Sequence, residues 1–455
     1  MRLYEKNVSV PLAPGNHNLI GHIEKALSFR LSDEEIPIRL AITSADDNQY
    51  NCEIGCLVDP GLSHRAQHDP IFKLERRAAE NPRRFTAVYL VPTGIGAEIG
   101  GHAGDATPAA RLLASVCDQL ITHPNVVNAS DINEMPANAL YVEGSVICRL
   151  LMGTAGLVPV RSNRVLVVMD SRPDEMIENL VVNTVEAARA TYGLDCPKIY
   201  KLEPPLELVA TYAESGRAVG SGQGIDRLLA MLRETRDEYD AVAISSLITV
   251  PEGYHDKYFS SEGDMVNPWG GIEAMLTHAV SHVLNVPSAH APMMESREIL
   301  FEDTGRVDPR MAAEAISSSF FHCVLKGLNQ SPRIVVDPAQ IQLPGVVNAR
   351  NISCLVIPEG CLGLPTLAAL EQGIPVIAVR EGKGVIDCDL NILPWRQNQL
   401  IHVENYWEAA GVLSALRAGI QPNSVRRPFE RLGVKTWRQY REFKSETFQQ
   451  KKSFE

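Results

Sequence analysis

Short apolar runs alternate with amphipathic helical stretches from residue 84 onward, and this alternation limits the possible folds more than any other feature. The clearest runs are FTAVYLV (85–91), NRVLVVMD (163–170), AVAISSLI (241–248) and SCLVIPEG (353–360). A stretch with helical spacing of its apolar residues follows each run, directly or after a loop. Short β-branched strands between helices are typical of a parallel sheet covered on both faces. The pattern therefore predicts an α/β fold.

The 455-residue chain is too long for one ordinary hydrophobic core, so we expect more than one domain. The predicted fold class is α/β, with two Rossmann-like lobes of mostly parallel sheet and a small N-terminal α/β domain. The predicted boundaries are 1–80 for the N-terminal domain, 81–162 and 330–430 for the first lobe, 163–329 for the second lobe, and 431–455 for a polar C-terminal helical tail.

The charge and hydropathy patterns exclude several classes of partner. A formal net charge of −12 argues against nucleic-acid binding, which needs clustered Lys and Arg. No apolar run reaches the roughly 20 residues that span a bilayer, and a secretory signal is not seen. We therefore expect a cytoplasmic protein without a membrane partner, which binds a small anionic or polar substrate. Self-association into a homo-oligomer stays open.

The cysteine pattern bears on redox state and metals. The chain has nine cysteines and no Cys-x-x-Cys pair, which predicts reduced thiols rather than a disulfide framework or a zinc site. No metal site is predicted, and the sequence leaves any cofactor unidentified.

Ligands of open α/β sheets bind beyond the carboxyl ends of the strands, so the strand-to-helix loops are the places to search. The loop PTGIGAEIGGHAGDATP (92–108) contains five glycines, which allow a positive φ or a close approach of backbone to a ligand. It matches neither the Rossmann nor the Walker A fingerprint, and Asp105 disfavours a simple phosphate. The alternative is a tight turn that packs strand on helix. The predicted ligand contacts are Thr93, Gly94, Gly96, Gly100, Gly101 and Gly104, with Asp105 as a candidate catalytic residue.

The second candidate loop is residues 121–144. His123 precedes a proline, and Glu143 stands at the end of the apolar strand ALYV. Both are candidate acid–base residues, while Asn125 and Asn128 are candidate ligand contacts. Each of these residues suits a structural role in a turn equally well.

The third candidate loop, NPWGG, opens a helix. Asn267, Trp269, Gly270 and Gly271 are predicted ligand contacts, since Trp269 could stack on a planar group. Glu273 falls in the first helical turn, where the helix dipole stabilises a carboxylate. Downstream of that helix, His290 is the better candidate for catalysis than the structural pair His278 and His282.

The fourth candidate loop is VIPEGCLGLP (356–365). Pro365 suits the first turn of a helix, whose free N–H groups favour an anion. Glu359, Gly360 and Gly363 are predicted ligand contacts. Cys361 is a candidate nucleophile because a helix start can lower the pKa of a thiol, although an inert buried cysteine is the alternative.

Four long segments resemble an uncharacterised family of cyanobacterial and plant proteins, the domain of unknown function family 3326. They are PTGIGAEIGGHAGDA, HPNVVNA, NPWGGIEAMLTHAVSHVLNVPSAHAPMMES and PEGCLGLPTLAALEQGIPVIAVRE, within residues 85–430. The resemblance implies a photosynthetic lineage and supplies no activity.

Two weaker similarities concern the chemistry. The layout around AVAISSLI and Cys361 is similar to that of the aspartate/glutamate/hydantoin racemase superfamily, whose enzymes use two thiols. Ser245 and Ser246 stand where the first cysteine is expected, which argues against two-thiol racemisation. A one-cysteine lyase, isomerase or decarboxylase variant stays open. Residues 356–381 are similar in layout to the diphosphate-binding half of two-Rossmann nucleotide-sugar enzymes.

The leading hypothesis is an enzyme that acts in a cleft between the lobes on a small anionic or polar metabolite. Acid–base or nucleophilic chemistry at a carboxylate or amide carbon fits best, of isomerase, lyase or hydrolase type. The catalytic candidates are Cys361, His123, His290, Glu143 and Asp105. The alternatives are a nucleotide-sugar transferase or epimerase, and a non-catalytic metabolite-binding regulator. The hypothesis requires that the four loops converge.

Overall fold

A computed structural model describes residues 1–12, 18–46, 48–59, 70–429 and 431–437. Its strands, in chain order, are β1 (Arg2–Pro11), β2 (Glu35–Ala45), β3 (Gln49–Val58), β4 (Thr86–Tyr89), β5 (Gln119–Thr122), β6 (Ala139–Tyr141), β7 (Gly156–Val158), β8 (Val165–Asp170), β9 (Ile199–Leu202), β10 (Glu207–Tyr212), β11 (Ala218–Gln223), β12 (Ala241–Ser246), β13 (Ile248–Thr249), β14 (Ser288–Pro292), β15 (Arg333–Val335), β16 (Ile352–Pro358), β17 (Leu362–Gly363), β18 (Val376–Val379) and β19 (Leu400–Val403).

The helices, in chain order, are α1 (Leu19–Ser28), α2 (Thr107–Ser115), α3 (Pro124–Val127), α4 (Gly144–Leu151), α5 (Glu175–Tyr192), α6 (Ile225–Glu234), α7 (Tyr254–Phe259), α8 (Gly270–Leu284), α9 (Arg297–Leu300), α10 (Ala312–Ala315), α11 (Phe321–Asn329), α12 (Pro338–Ile341), α13 (Leu364–Gln372) and α14 (Tyr406–Arg417). α5 shows the local logic of the longer helices. The Asp174 side chain accepts a hydrogen bond from the N–H of Met176 at its start, and Gly193 adopts the left-handed conformation at its end.

Two of the sheets are parallel throughout. One has six strands in the order β19-β18-β16-β4-β5-β6, and the other has four in the order β14-β12-β8-β9. Every residue of the central strands β8 and β16 is buried, which is why those segments are apolar without alternation. The predicted α/β class is therefore confirmed.

A third sheet of seven strands is mostly antiparallel, with the order β13-β10-β11-β1-β3-β2-β17. β1, β2 and β3 belong to the predicted N-terminal domain and form its centre. The hairpin β10–β11 comes from the predicted second lobe and adds to it through β1, while β17 adds to the other edge through β2. This sheet thus joins segments from across the chain, and the predicted domain boundaries stay a prediction.

Two buried hydrophobic clusters support these sheets. The larger packs α1, α2, α4, α13 and α14 around the six-stranded sheet, and the smaller packs α6 and α8 between the antiparallel sheet and the four-stranded sheet. Residues 431–437 of the predicted C-terminal tail contain no helix, and residues 438–455 lie outside the described part of the chain.

Candidate functional site

Three cavities lie side by side where the carboxyl ends of the two parallel sheets meet. The main cleft, around Glu273 and Glu314, encloses about 440 Å³. The neck, at His123, encloses about 130 Å³. The basic chamber, around Arg39 and Arg217, also encloses about 130 Å³.

Shared walls join the three cavities into one row. Asn267 and His290 line both the main cleft and the neck. Thr93, His123 and His278 line both the neck and the basic chamber. Open α/β sheets bind ligands at this place, beyond their strand ends.

Strand ends from both parallel sheets supply the polar groups. Thr93, His123 and Glu143 follow β4, β5 and β6, which are neighbours in the six-stranded sheet. Ser246 ends β12, and His290 lies on the adjacent strand β14 of the four-stranded sheet. Because parallel strands end at the same edge, residues far apart in sequence reach one cleft.

Ser246, His290 and Glu273 form a hydrogen-bonded chain at the base of the main cleft. Oγ of Ser246 lies 2.8 Å from Nε2 of His290, and Nδ1 of His290 lies 2.9 Å from Oε1 of Glu273. A carboxylate only accepts hydrogen bonds, so Nδ1 carries the hydrogen and donates a hydrogen bond to Glu273. The hydroxyl of Ser246 is the partner of the other ring nitrogen, Nε2. Exposure to solvent rises along this series of hydrogen bonds, from 0% for the His290 side chain to 24% for the Glu273 side chain.

Glu314, on the short helix α10, supplies a second carboxylate to the main cleft. It is buried, accepts a hydrogen bond from the backbone N–H of Ala103 and interacts with the hydroxyl of Tyr258. Burial raises the pKa of Glu314 to about 7, and the negative charge of Glu273 contributes in the same direction. The two carboxylates of this cleft therefore occupy different environments.

His123, Glu143 and His278 form the polar wall of the neck. Nδ1 of His278 lies 2.5 Å from Oε1 of Glu143. Burial opposes ionisation of Glu143, but His278 and the hydrogen bonds from Ser145 outweigh it, so the pKa of Glu143 is lowered. Nε2 of His123 accepts a hydrogen bond from the N–H of Val91. Burial lowers the pKa of His123 to about 4, so the ring is neutral at neutral pH.

The glycine-rich loop is explained mainly by its own packing. Gly94, Gly96, Gly100 and Gly104 all have positive φ. A Cβ on Gly104 would lie 2.2 Å from that of Ala129, and a Cβ on Gly101 would lie 2.3 Å from the carbonyl oxygen of Ala97. Backbone conformation and neighbouring atoms therefore leave no room for a side chain at these positions. This agrees with the alternative from the sequence, a tight turn that packs strand on helix. Gly94 and Gly101 also line the neck.

Polar residues of the first two loops hold this backbone in place. Oδ1 of Asp105 accepts a hydrogen bond from the N–H of Gly100 at 2.9 Å. Nδ2 of Asn125 donates to the carbonyl oxygens of Val91 and Gly100, both at 3.0 Å. Burial raises the pKa of Asp105 to about 7. Asn128 accepts a hydrogen bond from the hydroxyl of Tyr141 at 3.0 Å and faces both the main cleft and the neck.

The start of α8 explains how Glu273 reaches the cleft. Oδ1 of Asn267 accepts a hydrogen bond from the N–H of Trp269 at 3.1 Å. A Cβ on Gly270 would lie 2.7 Å from Thr93 Cγ2, and one on Gly271 would lie 2.2 Å from the carbonyl oxygen of Ala218. The two glycines thus let the helix begin against the glycine loop and β11, while Trp269 forms a wall of the main cleft.

The fourth loop contributes to the basic chamber. Cys361 and Gly363 line it. Burial raises the pKa of the Cys361 thiol well above its usual range, opposite to the lowering that a helix start was expected to cause. Glu359 lies 3.0 Å from Nδ1 of His402 through its Oε2 atom. Gly360 has a φ of 79° and packs against the carbonyl oxygen of Ile386.

Residues of all four candidate loops line the one row of cavities, so the loops converge as the leading hypothesis requires. The predicted residues that line the row of cavities are Thr93, Gly94, Gly101, His123, Asn125, Asn128, Glu143, Asn267, Trp269, Gly270, His290, Cys361 and Gly363. The predicted residues that lie behind its walls are Gly96, Gly100, Gly104, Asp105, Gly271, Glu359 and Gly360. The assignment of roles to these residues stays a prediction.

Several residues of the row were not candidates from the sequence. Glu314 lies on a four-residue helix, and Arg39 and Arg217 lie on or beside antiparallel strands. None of them belongs to a motif, so no local signal marks them. Ser246 and Glu273 stood in identified segments, and their connection through His290 requires the fold.

Among the described residues, one group has the spacing of a metal site: His255, Asp256 and Glu302. Both carboxylates are exposed, and Nδ1 of His255 lies 3.1 Å from Oε2 of Glu302, a polar contact that explains their approach. The group stands at the rim of the main cleft, since His255 and Glu302 line it. It supplies no buried metal cage.

The fold and the site define an α/β protein in which the strand ends of two parallel sheets enclose one row of cavities. The chain belongs to the family described as protein of unknown function (DUF3326), whose profile matches residues 86–426. A relative from Synechococcus sp., named an uncharacterized lipoprotein, is 32% identical over 351 residues. The alignment covers 75% of this chain and 94% of the relative. No solved structure matches the chain. Within the described residues, no helix is both long and apolar enough to cross a membrane.

Proposed function

We propose that the protein is an enzyme that transfers protons to and from a small polar metabolite in the main cleft, with isomerase, lyase or hydrolase chemistry. The observation that carries this proposal is the pair of carboxylates, Glu273 and Glu314, which line one cavity in different environments. When different environments leave one carboxyl group ionised and keep a proton on the other, the first can act as a base and the second as an acid.

Glu273 is the proposed general base. Its side chain is 24% exposed, whereas the His290 ring behind it is fully covered. The order of hydrogen bonds is that of a Ser-His-carboxylate triad, but here the carboxylate rather than the serine faces the cavity. His290 and Ser246 are therefore positioning residues, and the exposed carboxylate contacts the substrate.

Glu314 is the proposed general acid. A pKa of about 7 means that a sizeable fraction carries a proton at neutral pH and can give it to a substrate atom. The N–H of Ala103 and the hydroxyl of Tyr258 fix the orientation of the carboxyl group. A buried acid with fixed orientation returns to the same geometry after each proton transfer.

The walls of the main cleft limit the charge of the reacting part of the substrate. Four glutamates line it, Glu273, Glu295, Glu302 and Glu314, and its described lining contains no lysine or arginine. Carboxylates repel an anion, so the reacting part is neutral or positively charged. An anionic end of the substrate would need another part of the row. The sequence predicted an anionic or polar substrate, and the lining of the main cleft restricts the reacting part of that substrate to a neutral or cationic group.

We also propose a cytoplasmic location, on the charge and hydropathy of the chain. The relative from Synechococcus sp. carries the word lipoprotein in its name, which makes a lipid-anchored form the alternative. Fractionation of cells that express the native gene, followed by detection with an antibody, separates the two: a cytoplasmic protein stays in the supernatant.

The test begins with thermal-shift screening of a panel of neutral and amine-bearing metabolites. Compounds that stabilise the protein are then incubated with it in D₂O and followed by proton NMR for product formation or for exchange of C–H protons. Glu273→Gln and Glu314→Gln should each slow conversion by about 10²-fold or more. Glu298→Gln is the matched control, because Glu298 is an exposed carboxylate on the nearby helix α9.

Three outcomes contradict the proposal. A bound metabolite that the wild-type protein releases unchanged, without proton exchange, favours the non-catalytic regulator. Turnover that persists undiminished in Glu273→Gln removes the assigned base. Turnover of a nucleotide sugar, tested separately from the panel, that is insensitive to both substitutions favours the transferase or epimerase alternative.

A further inference from the structure

The charged residues that line the basic chamber have the opposite sign to those that line the main cleft. Arg39, Arg149 and Arg217 line it together with three histidines, and its described lining contains no aspartate or glutamate. The row of cavities thus has an acidic end and a basic end, with the neck between them. The acid–base proposal uses only the acidic end.

Arg217 is the residue of the chamber that most directly indicates ligand binding. Its side chain is 1% exposed, and its Nη1 atom pairs with Glu53 and lies 3.6 Å from Oε2 of Glu5. Its Nε and Nη2 atoms are buried and have no hydrogen-bond partner among the described residues. Buried guanidinium donors are almost always satisfied in proteins, so these N–H groups lack an acceptor that a ligand can supply.

Arg39 places a second guanidinium beside the first. Its Nη2 atom donates to the carbonyl oxygen of Thr93 at 3.0 Å, and its Nη1 atom lies 3.4 Å from Oε1 of Glu5. Burial and the positive charge of Arg217 lower the pKa of Arg39 to about 10. An anion between the two side chains would offset both effects.

A helix start completes the chamber. α13 begins at Leu364, and no side chain caps its N-terminus, where Gly363 is extended. The hydroxyl of Thr366 is occupied, because it donates to the carbonyl oxygen of Cys361 at 3.0 Å. Leu364, Pro365 and Thr366 of this first turn line the chamber. Pro365 has no N–H group, so Leu364 and Thr366 supply the backbone N–H groups of this helix start, where negative charge is favoured.

We infer that the basic chamber is a binding site for a small oxyanion, a carboxylate or a phosphate, held by Arg217, Arg39 and the first turn of α13. The planar fork of arginine matches both kinds of oxyanion. If the proposed function is correct, this site holds an anionic end of the substrate while the neck leads its reacting part to Glu273. Anion binding itself does not depend on that link.

Isothermal titration calorimetry with inorganic phosphate and, separately, with malonate tests the inference on the full chain. We expect saturable binding of at least one anion, and competition between the two if both bind. Arg217→Lys keeps a positive charge near Glu53 but loses the Nε and Nη2 donors, and should weaken binding by about 10-fold or more. Arg164→Lys is the matched control, because Arg164 pairs with Asp240 at the surface and should bind as wild type does.

The outcomes separate this inference from the acid–base proposal. Absence of saturable binding of either anion to the wild-type protein overturns the inference, as does unchanged binding by a folded Arg217→Lys variant. If that variant does not fold, Arg39→Lys serves in its place with the same expected loss. Glu273→Gln should bind the anion as wild type does, so a failure of catalysis and a failure of anion binding are distinguishable.

Discussion

His290 and Glu273 are joined by a 2.9 Å hydrogen bond that links the strand β14 to the first turn of α8. Seventeen residues separate them in sequence, and the rest of α8 lies between them. The bond fixes Oε1 of Glu273, the most exposed residue of the hydrogen-bonded series Ser246, His290 and Glu273. Two buried polar groups, Ser246 and His290, thus lead to one carboxylate on the wall of the main cleft.

The first prediction concerns this bond. An asparagine at position 290 places its amide nitrogen near the Nδ1 site and can still donate to Glu273, whereas a glutamine places its amide near the Nε2 site, toward Ser246. We expect His290→Gln to lower kcat by about 10²-fold with KM changed only a few-fold, because it misplaces the base without removing binding contacts. His290→Asn should recover part of the loss. Equal loss in both variants, with matching loss of stability, would indicate a purely structural role.

The second prediction is a pH dependence of stability that comes from Glu314. Its folded pKa, about 7, lies above the ordinary value of 4.5. The folded state therefore binds more protons than the unfolded state between these values, and this contribution to stability is complete below pH 4.5 and lost as the pH rises through 7. The shift corresponds to a loss on the order of 3 kcal/mol.

Urea unfolding of the wild-type protein and of Glu314→Gln from pH 4.5 to 8 measures this contribution. The variant should gain stability relative to wild type as the pH rises. The comparison of the two proteins is needed because His123, with a folded pKa of about 4, contributes with the opposite sign in the same range. A constant difference between the two proteins across the range would contradict the prediction.

The parallel part of the fold could be predicted from the sequence because its strands are short, continuous apolar runs. The hairpin β10–β11 could not, because Val209 is exposed while the small Ala210 is buried, so hydrophobicity does not follow burial in β10, and β11 is rich in glycine. Its pairing with β1, about two hundred residues away, is a tertiary contact that no local pattern encodes.

The site divides in the same way. His123 and Glu143 could be found because each follows a strand end, and His290 because it stands in a short extended segment after a helix. Glu314, Arg39 and Arg217 acquire their properties only from burial and from neighbours that the fold brings together. For Cys361 the position at a helix start predicted a lowered pKa, whereas burial raises the pKa of its thiol.

The third prediction follows for Cys361. A buried thiol with a raised pKa carries almost no thiolate at neutral pH, and the thiolate is the species that reacts with alkylating agents. We expect iodoacetamide at pH 7.5 to leave Cys361 unmodified in the native protein and to modify it in urea, as read by peptide mass spectrometry. Rapid labelling of Cys361 in the native state would contradict this prediction and favour the nucleophilic role.

The last prediction concerns what the glycines of the 92–108 loop do. Gly104 and Gly193 both have positive φ, but a Cβ on Gly104 would lie 2.2 Å from the Cβ of Ala129, while one on Gly193 would meet nothing within 4 Å. Gly193→Ala should therefore cost about 1 kcal/mol of unfolding free energy from backbone conformation alone. Gly104→Ala adds overpacking and should cost about 3 kcal/mol or more, measured by urea unfolding. Equal costs would mean that the loop has room at Gly104, and that its glycines serve something other than packing against the 123–129 segment.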